Sequence, residues 1–355
     1  MSDRHGGDLQ ALARRSGRPA GSLLDFSANI NPLGMPFVAK AAMIAAIDDL
    51  AHYPDPACTA LRAAIGQHLG VAEERIVVGN GAEQLIWWLP RLLDASRVLV
   101  AAPAYLDYRR AAAVWQRPLV SIPLSFDEGF ALDLGRLSAQ LRSGDLVWIG
   151  QPNNPTGRLV NPEALRLAAT AHPQVNWAID EAFIDFVSAA ESAVRWGLPN
   201  LIVVRSMTKF YALAGLRLGY AVLTSARAAD YIRLLPEWSV NSLAAAAGAA
   251  ILNDPALPDY ALRTRALIST ERRRLTDALR GLGLEVIDGV ANYLLLRLPL
   301  QAPTAADLAD RLLRSEGIAV RVCDNYEALD ARYLRIAVRA EVDNQRLLTA
   351  MTHLL

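Results

Sequence analysis

The chain has 355 residues, and its 36 basic and 36 acidic side chains give a formal net charge of zero at pH 7. A neutral chain without long runs of one sign lacks the basic face that binds nucleic acid or an anionic membrane. The two cysteines, Cys58 and Cys323, lie far apart and outside any CxxC or Cys/His spacing, so the sequence predicts neither a disulfide framework nor a metal site.

The N-terminus and the longest apolar run indicate whether the protein is secreted or inserted in a membrane. Residues 1–17 contain no apolar core of a secretory signal peptide. The run SLAAAAGAAIL, residues 242–252, is too short to span a bilayer. We therefore expect a cytoplasmic globular protein with no membrane partner.

Between residues 75 and 225 the sequence alternates between strand-like and helical segments. Short, nearly continuous apolar strands separated by helices indicate an α/β protein with a mostly parallel sheet covered on both faces. The expected strands are RIVVG, RVLVAA, DLVWIG, VNWAID, LIVVRS and LRLGYAVL, and the helical stretches between them include GAEQLIWWLPRLL and NPEALRLAATA.

After about residue 236 the pattern changes. An Ala-rich helix and a long charged one are followed by three short strand segments, EVIDGVANYLLLRL, IAVRV and YLRIAV. This predicts a smaller α+β domain with a cleft between it and the large sheet. We expect an N-terminal arm of residues 1–35 that contributes to the small domain and the active site, a large domain of residues 36–236, and a small domain of residues 237–355.

Polar motifs follow several predicted strands, where ligands bind in open α/β sheets. In VVGNGAEQL, the backbone N–H groups of Gly81, Ala82 and Glu83 can receive a phosphate at a helix N-terminus; an ordinary glycine turn is the alternative. In QPNNPTG, Asn154 precedes a proline, which restricts its backbone and fixes where its amide points. A plain Asn-Pro turn is the alternative there.

Two further motifs carry a buried acid and a lysine. Asp180 ends the apolar strand NWAID, where a carboxylate is costly to bury unless a cation or strong donor meets it. A pyridinium nitrogen is one such partner, and an arginine or a helix N-terminus is another. The segment RSMTKFYALAGLRLG places Ser206, Lys209 and Arg217 in one loop, although a surface lysine beside a structural arginine has the same pattern. Together the motifs supply the parts that pyridoxal phosphate needs.

The order and spacing of these motifs resemble the fold-type-I pyridoxal-phosphate enzymes, the aspartate aminotransferase superfamily. The resemblance implies a mostly parallel sheet of the seven-stranded type, a smaller α+β domain, and a homodimer with shared active sites. It implies that Lys209 binds the cofactor covalently, that Asp180 pairs with the ring nitrogen, and that Tyr108 stacks on the ring, unless Tyr108 is a core tyrosine. The other implied cofactor-binding residues are Gly81, Ala82, Glu83, Asn154, Ser206, Arg217 and, across the dimer, Tyr53.

A narrower resemblance begins at the N-terminus. HGGDLQALARRSG and LLDFSANINPLGMP, with PNNPTG, DEAFIDF and LRIAVRAEVDNQRLL further on, resemble the L-threonine-O-3-phosphate decarboxylases of cobalamin biosynthesis. The resemblance covers essentially the whole chain. It implies decarboxylation of a small phosphorylated amino acid, L-threonine O-3-phosphate, to (R)-1-amino-2-propanol O-2-phosphate. The implied substrate-binding residues are His5, Gly6, Asn29, Asn154, Arg321 and Arg335.

Two other functions stay open at this stage. A histidinol-phosphate aminotransferase shares the fold, the cofactor contacts and a phosphorylated substrate, but such enzymes generally carry an acid at the position of Ile30, a tyrosine at Phe183 and a glycine at Arg339. A ligand-sensing module fused to a DNA-binding head is a different class, and we see no such head before LLDFSANINP. For His5 an unordered arm, and for either arginine a surface salt bridge, are the structural alternatives.

Overall fold

The computed structural model of the chain describes residues 5–187 and 192–355, which form thirteen strands and twelve α-helices. The strands are β1 (Leu24–Asp25), β2 (Ile76–Asn80), β3 (Val98–Ala102), β4 (Leu119–Pro123), β5 (Leu146–Gly150), β6 (Asn176–Asp180), β7 (Leu201–Ser206), β8 (Leu218–Val222), β9 (Glu285–Val286), β10 (Tyr293–Arg297), β11 (Ile318–Ala319), β12 (Arg321–Val322) and β13 (Tyr333–Ala337). The helices are α1 (Leu9–Ser16), α2 (Phe37–Ala45), α3 (Thr59–Leu69), α4 (Gly81–Leu92), α5 (Leu106–Val114), α6 (Leu134–Ser138), α7 (Pro162–Ala171), α8 (Ser225–Leu234), α9 (Ser242–Leu252), α10 (Leu257–Gly281), α11 (Ala305–Arg311) and α12 (Glu341–Leu354).

The large sheet has seven strands in the order β2-β8-β7-β6-β5-β3-β4. Every neighbouring pair is parallel except the two that involve β8, which runs antiparallel to β2 and β7. The predicted α/β fold with a mostly parallel sheet is confirmed. The sequence analysis missed β4, a short strand that ends in Pro123, and a proline is tolerated there because β4 lies at the sheet edge.

Both faces of this sheet are buried, which explains its continuous apolar strands. On β5, Val147 and Ile149 pack into one apolar cluster, and Leu146 and Trp148 pack into a second cluster on the opposite face. Burying side chains of this size stabilises the fold by roughly 1.5–3 kcal/mol each. The sheet is therefore a rigid platform, and its strand ends hold attached side chains in fixed positions.

The second sheet has four antiparallel strands in the order β12-β13-β10-β9. The predicted segment EVIDGVANYLLLRL divides into β9 and β10, which pair with each other. The predicted segment IAVRV divides between sheets, because β12 joins this sheet while β11 pairs in parallel with β1 near the N-terminus. This pairing connects the described part of the predicted arm, residues 5–35, to the C-terminal part of the fold. We call these residues the N-terminal segment. The domain limits at residues 35 and 236 stay predictions.

Helices α9 and α10 cover much of the remaining core. Helix α9 is rich in alanine and buries Ala244, Ala247 and Gly248, so it can pack closely on its neighbours. Helix α10 has 25 residues and buries one stripe of side chains while its other faces carry charge. None of the helices in the two described ranges combines the length and apolarity that a membrane crossing requires.

Two glycines allow the first turn of α4 to lie directly against the sheet. Gly79 on β2 and Gly219 on β8 are cross-strand partners. A Cβ at position 219 would lie 2.3 Å from the backbone nitrogen of Ala82, and one at position 79 would lie 2.8 Å from Leu85 Cγ. Any residue with a side chain at position 219 would therefore displace the N-terminus of α4.

We predict that Gly219→Ala destabilises the fold, whereas Gly215→Ala does not. The added methyl at position 219 overlaps backbone atoms, and overpacking of this kind costs about 1–3 kcal/mol. Gly215 has no atom within 4 Å of its would-be Cβ. Urea unfolding of both variants measures the difference, and equal midpoints would contradict the account of Gly219.

Candidate active site

A cavity of about 500 Å³ lies beyond the carboxyl ends of β6 and β7, between the large sheet, the small sheet and the N-terminal segment. Thirteen of the fifteen site residues predicted from the sequence line it. These are His5, Gly6, Asn29, Ala82, Glu83, Tyr108, Asn154, Asp180, Ser206, Lys209, Arg217, Arg321 and Arg335.

Lys209 projects into this cavity from the loop after β7. Its Nζ donates a hydrogen bond to Thr208 Oγ1 at 2.7 Å and lies 5.9 Å from the centre of the Phe183 ring. Burial lowers the pKa of Lys209 to about 8, and the positive charge of Arg217 acts in the same direction while Asp180 opposes it. About a tenth of this amine is therefore uncharged at pH 7, and the uncharged form is the nucleophile.

Asp180, the last residue of β6, supplies a buried carboxylate to the same cavity. It is 7% exposed and accepts hydrogen bonds from the Tyr108 hydroxyl at 2.6 Å and the Ala182 backbone N–H at 2.9 Å. Burial raises the pKa of Asp180, and these donors together with Lys209 oppose the rise. A cationic group held beside this carboxylate would lower its pKa and favour its charged form.

Tyr108 lines the cavity and contacts both Trp148 and Asp180. Its ring is 1% exposed and stacks on Trp148, with ring centres 4.5 Å apart and planes within 3°. Trp148 covers one face of this ring, and the hydroxyl orients Asp180; stacking of Tyr108 on the cofactor stays a prediction. Tyr105, one turn earlier, lines the cavity and is partly exposed, so its ring is the accessible one.

The N-terminus of α4 forms an anion-binding cup. Gly81 has a left-handed φ of +78°, and a Cβ there would lie 2.7 Å from Arg217 Nη2, so glycine keeps the cup open beside this arginine. Arg217 forms an ion pair with Glu83 at 3.2 Å. A helix N-terminus together with a guanidinium is a combination that suits a phosphate group.

Two hydroxyl groups complete the cup from the opposite side. Ser206 Oγ and Thr208 Oγ1 lie 2.7 Å apart, and both residues line the cavity. Thr208 is also the hydrogen-bond acceptor for Lys209, so it connects the amine to the cup.

Asn154 and Arg335 are held together on the small-sheet side of the cavity. Arg335, on β13, donates to Asn154 Oδ1 at 2.6 Å and to the Ser27 carbonyl oxygen at 2.9 Å. Tyr326 donates to the same Asn154 oxygen at 3.4 Å. Because these bonds use Oδ1, the Asn154 amide nitrogen is oriented away from them and can donate to a ligand.

Arg321 is a second arginine on this side, on β12. It is 5% exposed, donates to Asn325 Oδ1 at 2.8 Å, and lies 5.5 Å from the centre of the Tyr326 ring. The planar contact with the ring and the hydrogen bond fix its guanidinium at the cavity wall.

The N-terminal segment crosses the cavity mouth in close contact with Ser27. The Gly7 backbone N–H donates to Ser27 Oγ at 2.9 Å, and a Cβ on Gly6 would lie 2.1 Å from the Ser27 carbonyl oxygen. Only glycine permits this approach at position 6. Asn29 is fixed by Asn292, whose amide donates to the Asn29 carbonyl oxygen at 2.9 Å.

Two predicted residues do not line the cavity. Gly81 adjoins it through the contact with Arg217 described above. Tyr53 is 79% exposed and stacks on Trp238, with ring centres 4.6 Å apart. Its contact with a partner subunit's cofactor stays a prediction. Arg339 also lies elsewhere, donating to the Asp25 carbonyl oxygen at 3.1 Å.

The sequence analysis missed several residues that line the cavity. Tyr105 follows β3, so the rule of reading polar residues at strand ends would have found it. Thr208 directly precedes Lys209 and could have been noticed by position. Tyr326 lies in a loop after a two-residue strand, and no pattern in the sequence indicates that it reaches the cavity.

The donor set fits pyridoxal phosphate. The cup around Gly81 and Arg217 suits a dianionic phosphate, and Lys209 has the lowered pKa that covalent attachment to an aldehyde requires. Asp180 is a buried carboxylate whose charge needs a cationic partner, which the ring nitrogen provides when it is protonated.

Comparison with known proteins identifies the family. Residues 22–354 match the model of the family aminotransferase class I and II, and the chain belongs to that family. Threonine-phosphate decarboxylase of Salmonella typhimurium is 38% identical over 359 residues, covering 99% of this chain and 96% of that protein. Histidinol-phosphate aminotransferase 2 of Ralstonia nicotianae is 33% identical over 354 residues, covering 98% and 92%. The adenosylcobalamin biosynthesis bifunctional protein CobDQ of Leptospira interrogans is 35% identical over 356 residues, and this chain spans 41% of it.

Solved structures show the same fold. L-threonine-O-3-phosphate decarboxylase from Porphyromonas gingivalis matches with a TM-score of 0.82 and 25% identity, covering 93% of this chain and 98% of that one. Histidinol-phosphate aminotransferase from Sinorhizobium meliloti, solved in complex with pyridoxal 5'-phosphate, matches with a TM-score of 0.89 and 25% identity, covering 98% and 94%. The family is dependent on pyridoxal phosphate, and the cofactor predicted from the motifs is confirmed.

We predict that Lys209 is the attachment point and that its reactivity rises with pH. A pKa of about 8 means that the uncharged fraction climbs from about a tenth at pH 7 to about nine tenths at pH 9. The rate at which cofactor-free protein takes up pyridoxal phosphate should therefore increase through pH 8 and level off near pH 9.

The chain offers a matched control, because it contains only two lysines, Lys40 and Lys209. Lys40 is exposed on α2, outside the cavity. Borohydride reduction followed by peptide mass mapping should place the cofactor on Lys209, and Lys209→Arg should abolish the label while Lys40→Arg leaves it unchanged. Label on Lys40 in place of Lys209 would overturn the assignment.

Proposed function

We propose that this protein decarboxylates L-threonine O-3-phosphate to (R)-1-amino-2-propanol O-2-phosphate in cobalamin biosynthesis. The similarity to proteins named for that reaction, over nearly the full chain, supports the proposal. The geometry supports it independently, because the cavity has cationic groups in addition to those that the cofactor needs. The substrate carries two anionic groups, a carboxylate and a phosphate.

Arg335 is the observation that carries the proposal. Its side chain is 5% exposed, and both of its hydrogen bonds go to neutral oxygens, of Asn154 and Ser27. Within the described ranges no carboxylate lies at ion-pair distance from it. A buried cation without a compensating charge is strongly unfavourable. The α-carboxylate of a bound amino acid would supply that charge, in two parallel hydrogen bonds.

The second anionic group is assigned to the side formed by Arg321, His5 and Asn29. All three line the cavity, and Arg321 is fixed at its wall by Asn325 and Tyr326. Asn29 is 3% exposed, and its backbone is held by Asn292. A phosphate bound here would be recognised by both charged and amide donors. Several donors give more specific recognition than a single contact.

The reaction breaks the bond between Cα and the carboxylate carbon, leaves the bonding electron pair on the substrate, and adds a proton to Cα. Pyridoxal phosphate, when bound, supplies the electron-accepting ring system. The protein positions the carboxylate through Arg335, maintains charge at the ring nitrogen through Asp180, and delivers the proton from Lys209. The pKa of about 8 lets Lys209 both hold and release a proton near neutral pH.

Histidinol-phosphate aminotransferase is the second candidate, since relatives of that name also match nearly the full chain. Two of the three departures noted from the sequence bear on it. Ile30 and Phe183 both line the cavity, so an apolar side chain and a phenyl ring occupy positions where that enzyme generally has an acid and a phenol. Arg339 lies outside and does not discriminate.

We further propose that the protein acts in the cytoplasm as a homodimer whose sites include residues of both chains. Tyr53 and Trp238 form an exposed aromatic pair, 79% and 46% exposed, and Phe37 is 84% exposed. Burial of these side chains by a second copy would place the Tyr53 phenol where it can meet the partner's cofactor phosphate.

We predict that the holoenzyme releases carbon dioxide from L-threonine O-3-phosphate and forms one equivalent of aminopropanol phosphate, with no requirement for 2-oxoglutarate. The substrate's two anions match Arg335 and the Arg321 side, which is the physical reason for the choice. Product analysis by mass spectrometry, run beside histidinol phosphate with 2-oxoglutarate, checks it. Consumption of 2-oxoglutarate without carbon dioxide release would replace this proposal with the aminotransferase.

We predict that Arg335→Gln lowers kcat/KM by about 30-fold to several thousandfold, because loss of one partner of a buried charge pair costs about 2–5 kcal/mol. Arg297→Gln is the matched control, since Arg297 lies on the neighbouring strand β10 but pairs with Glu285 and packs over Phe126 outside the cavity. Equal losses for both variants would show that Arg335 acts only in folding.

A further inference from the structure

Helix α5 contacts the N-terminal segment through Asp107 and Arg110. Asp107, in the first turn of α5, has a carboxylate that is 0% exposed. Its Oδ1 accepts a hydrogen bond from Arg110 at 2.6 Å, and Arg110 in turn lies 5.3 Å from the centre of the Trp87 ring. The Asp107 carboxylate therefore lies between Arg110, on its own helix, and His5 of the N-terminal segment.

The other oxygen of Asp107 is the unusual feature. No hydrogen bond reaches Asp107 Oδ2 from the part of the chain that the structure describes, although this atom is buried. His5 Nε2 lies 3.5 Å from this oxygen, longer than an ordinary hydrogen bond, and 3.3 Å from Arg110 Nη1. A buried carboxylate oxygen without a donor costs at least 1–3 kcal/mol. A small movement of His5 would remove that cost.

Asp107 favours its ionised form, which attracts a hydrogen-bond donor such as His5. Burial opposes its ionisation, but the nearby polar groups of His5 and Tyr105 and the Arg110 guanidinium outweigh burial, so the pKa of Asp107 lies below its ordinary value. The His5 ring also packs against Tyr105, with ring centres 5.7 Å apart. His5, 39% exposed, therefore contacts Asp107 and Arg110 on α5 and Tyr105 directly before the helix; its Nε2 lies 3.3 Å from Arg110 Nη1.

The segment that follows His5 is connected to the substrate cavity. Gly6 and Gly7 contact Ser27, and the Ser27 carbonyl oxygen accepts from Arg335. Fixing His5 on α5 therefore also fixes the glycines that press on Ser27, and through it one side of the Arg335 guanidinium. Without that fixed point the first residues of a chain fray.

We propose that Asp107 is a positioning residue that anchors the N-terminal segment over the substrate through His5. The anchored segment places the imidazole beside the bound phosphate and excludes water from the cavity. This inference rests on the proposed function only in that the substrate carries a phosphate; it does not depend on whether the reaction is a decarboxylation. Asp107 touches neither substrate nor cofactor, so its effect on catalysis passes through His5.

The first test follows the segment directly in the holoenzyme. Asp107→Asn keeps the shape of the side chain and removes its charge, and we expect the amides of Gly6 and Gly7 to exchange hydrogen at least tenfold faster in this variant. His5→Ala removes the same contact from the other side and should produce the same increase. Mass-resolved exchange of the peptide spanning residues 5–16 measures both.

Asp145→Asn is the matched control. Asp145 also has a side chain that is 0% exposed and is bound by an arginine, Arg97, at 2.6 and 2.9 Å, but it lies at the start of β5, at the opposite end of the sheet from the cavity. This variant should lose comparable stability and leave exchange at Gly7 unchanged. Unaltered exchange in both Asp107→Asn and His5→Ala, or equal increases in the Asp145 control, would overturn the proposal.

The second test separates binding from turnover. With whichever phosphorylated substrate the wild-type enzyme converts, Asp107→Asn should raise KM about tenfold or more and change kcat less than threefold. Adding Asp107→Asn to His5→Ala should raise KM no further, because both remove one contact. Additive effects on KM, or a loss confined to kcat, would show that Asp107 does not act through His5.

The two proposals fail in different ways. If the wild-type protein converts histidinol phosphate and releases no carbon dioxide, the decarboxylase assignment fails while the exchange and KM tests proceed with that substrate. If the wild-type protein decarboxylates threonine phosphate and the Asp107 variants match the Asp145 control, the anchor fails and the enzyme assignment stands.

Discussion

The amine of Lys209 and the carboxylate of Asp180 are both buried at the carboxyl ends of central strands of the large sheet. The rest of the site depends on these two groups of opposite charge. Neither Lys209 nor Asp180 is stable as a charged group in an apolar surrounding, so burial lowers the pKa of the first and raises that of the second. A ligand with an electrophilic carbonyl group and a positively charged ring nitrogen relieves both. The sheet can maintain this arrangement because its two apolar clusters make the strand ends rigid.

The two sides of the cavity have different tasks. The large sheet and α4 hold the groups proposed to bind the cofactor, whereas the small sheet and the N-terminal segment supply those proposed for the substrate, Arg335, Arg321, His5 and Asn29. In this proposal the chemistry that relatives share is built on the large sheet, and the choice of substrate depends on the small sheet and the N-terminal segment. This division explains why the family and cofactor follow from the fold while the reaction has to be argued from the arginines.

The sequence predicted the cofactor side well because its signals are local. A glycine turn before a helix, an acid at a strand end and a lysine in a small-residue loop each sit within a few residues of the element that positions them, and apolar periodicity located those elements. The sequence was less informative where contacts between residues distant in the chain decide where a side chain lies. The stacking of Tyr108 on Trp148 could not be predicted, because a contact across 40 residues leaves no local pattern. The division of IAVRV between two sheets, and the contact of His5 with Asp107, were invisible for the same reason.

Neighbouring residues of α5 act on different parts of the site. Tyr108 orients the acid that serves the cofactor ring, Asp107 faces the N-terminal segment, and Arg109 forms an ion pair with Glu327, in the loop that carries Tyr326. Because a helix moves as a stiff rod, these three attachments cannot shift independently. A displacement of α5 would therefore move the Asp180, His5 and Glu327 contacts together, so the helix couples three parts of the cavity wall.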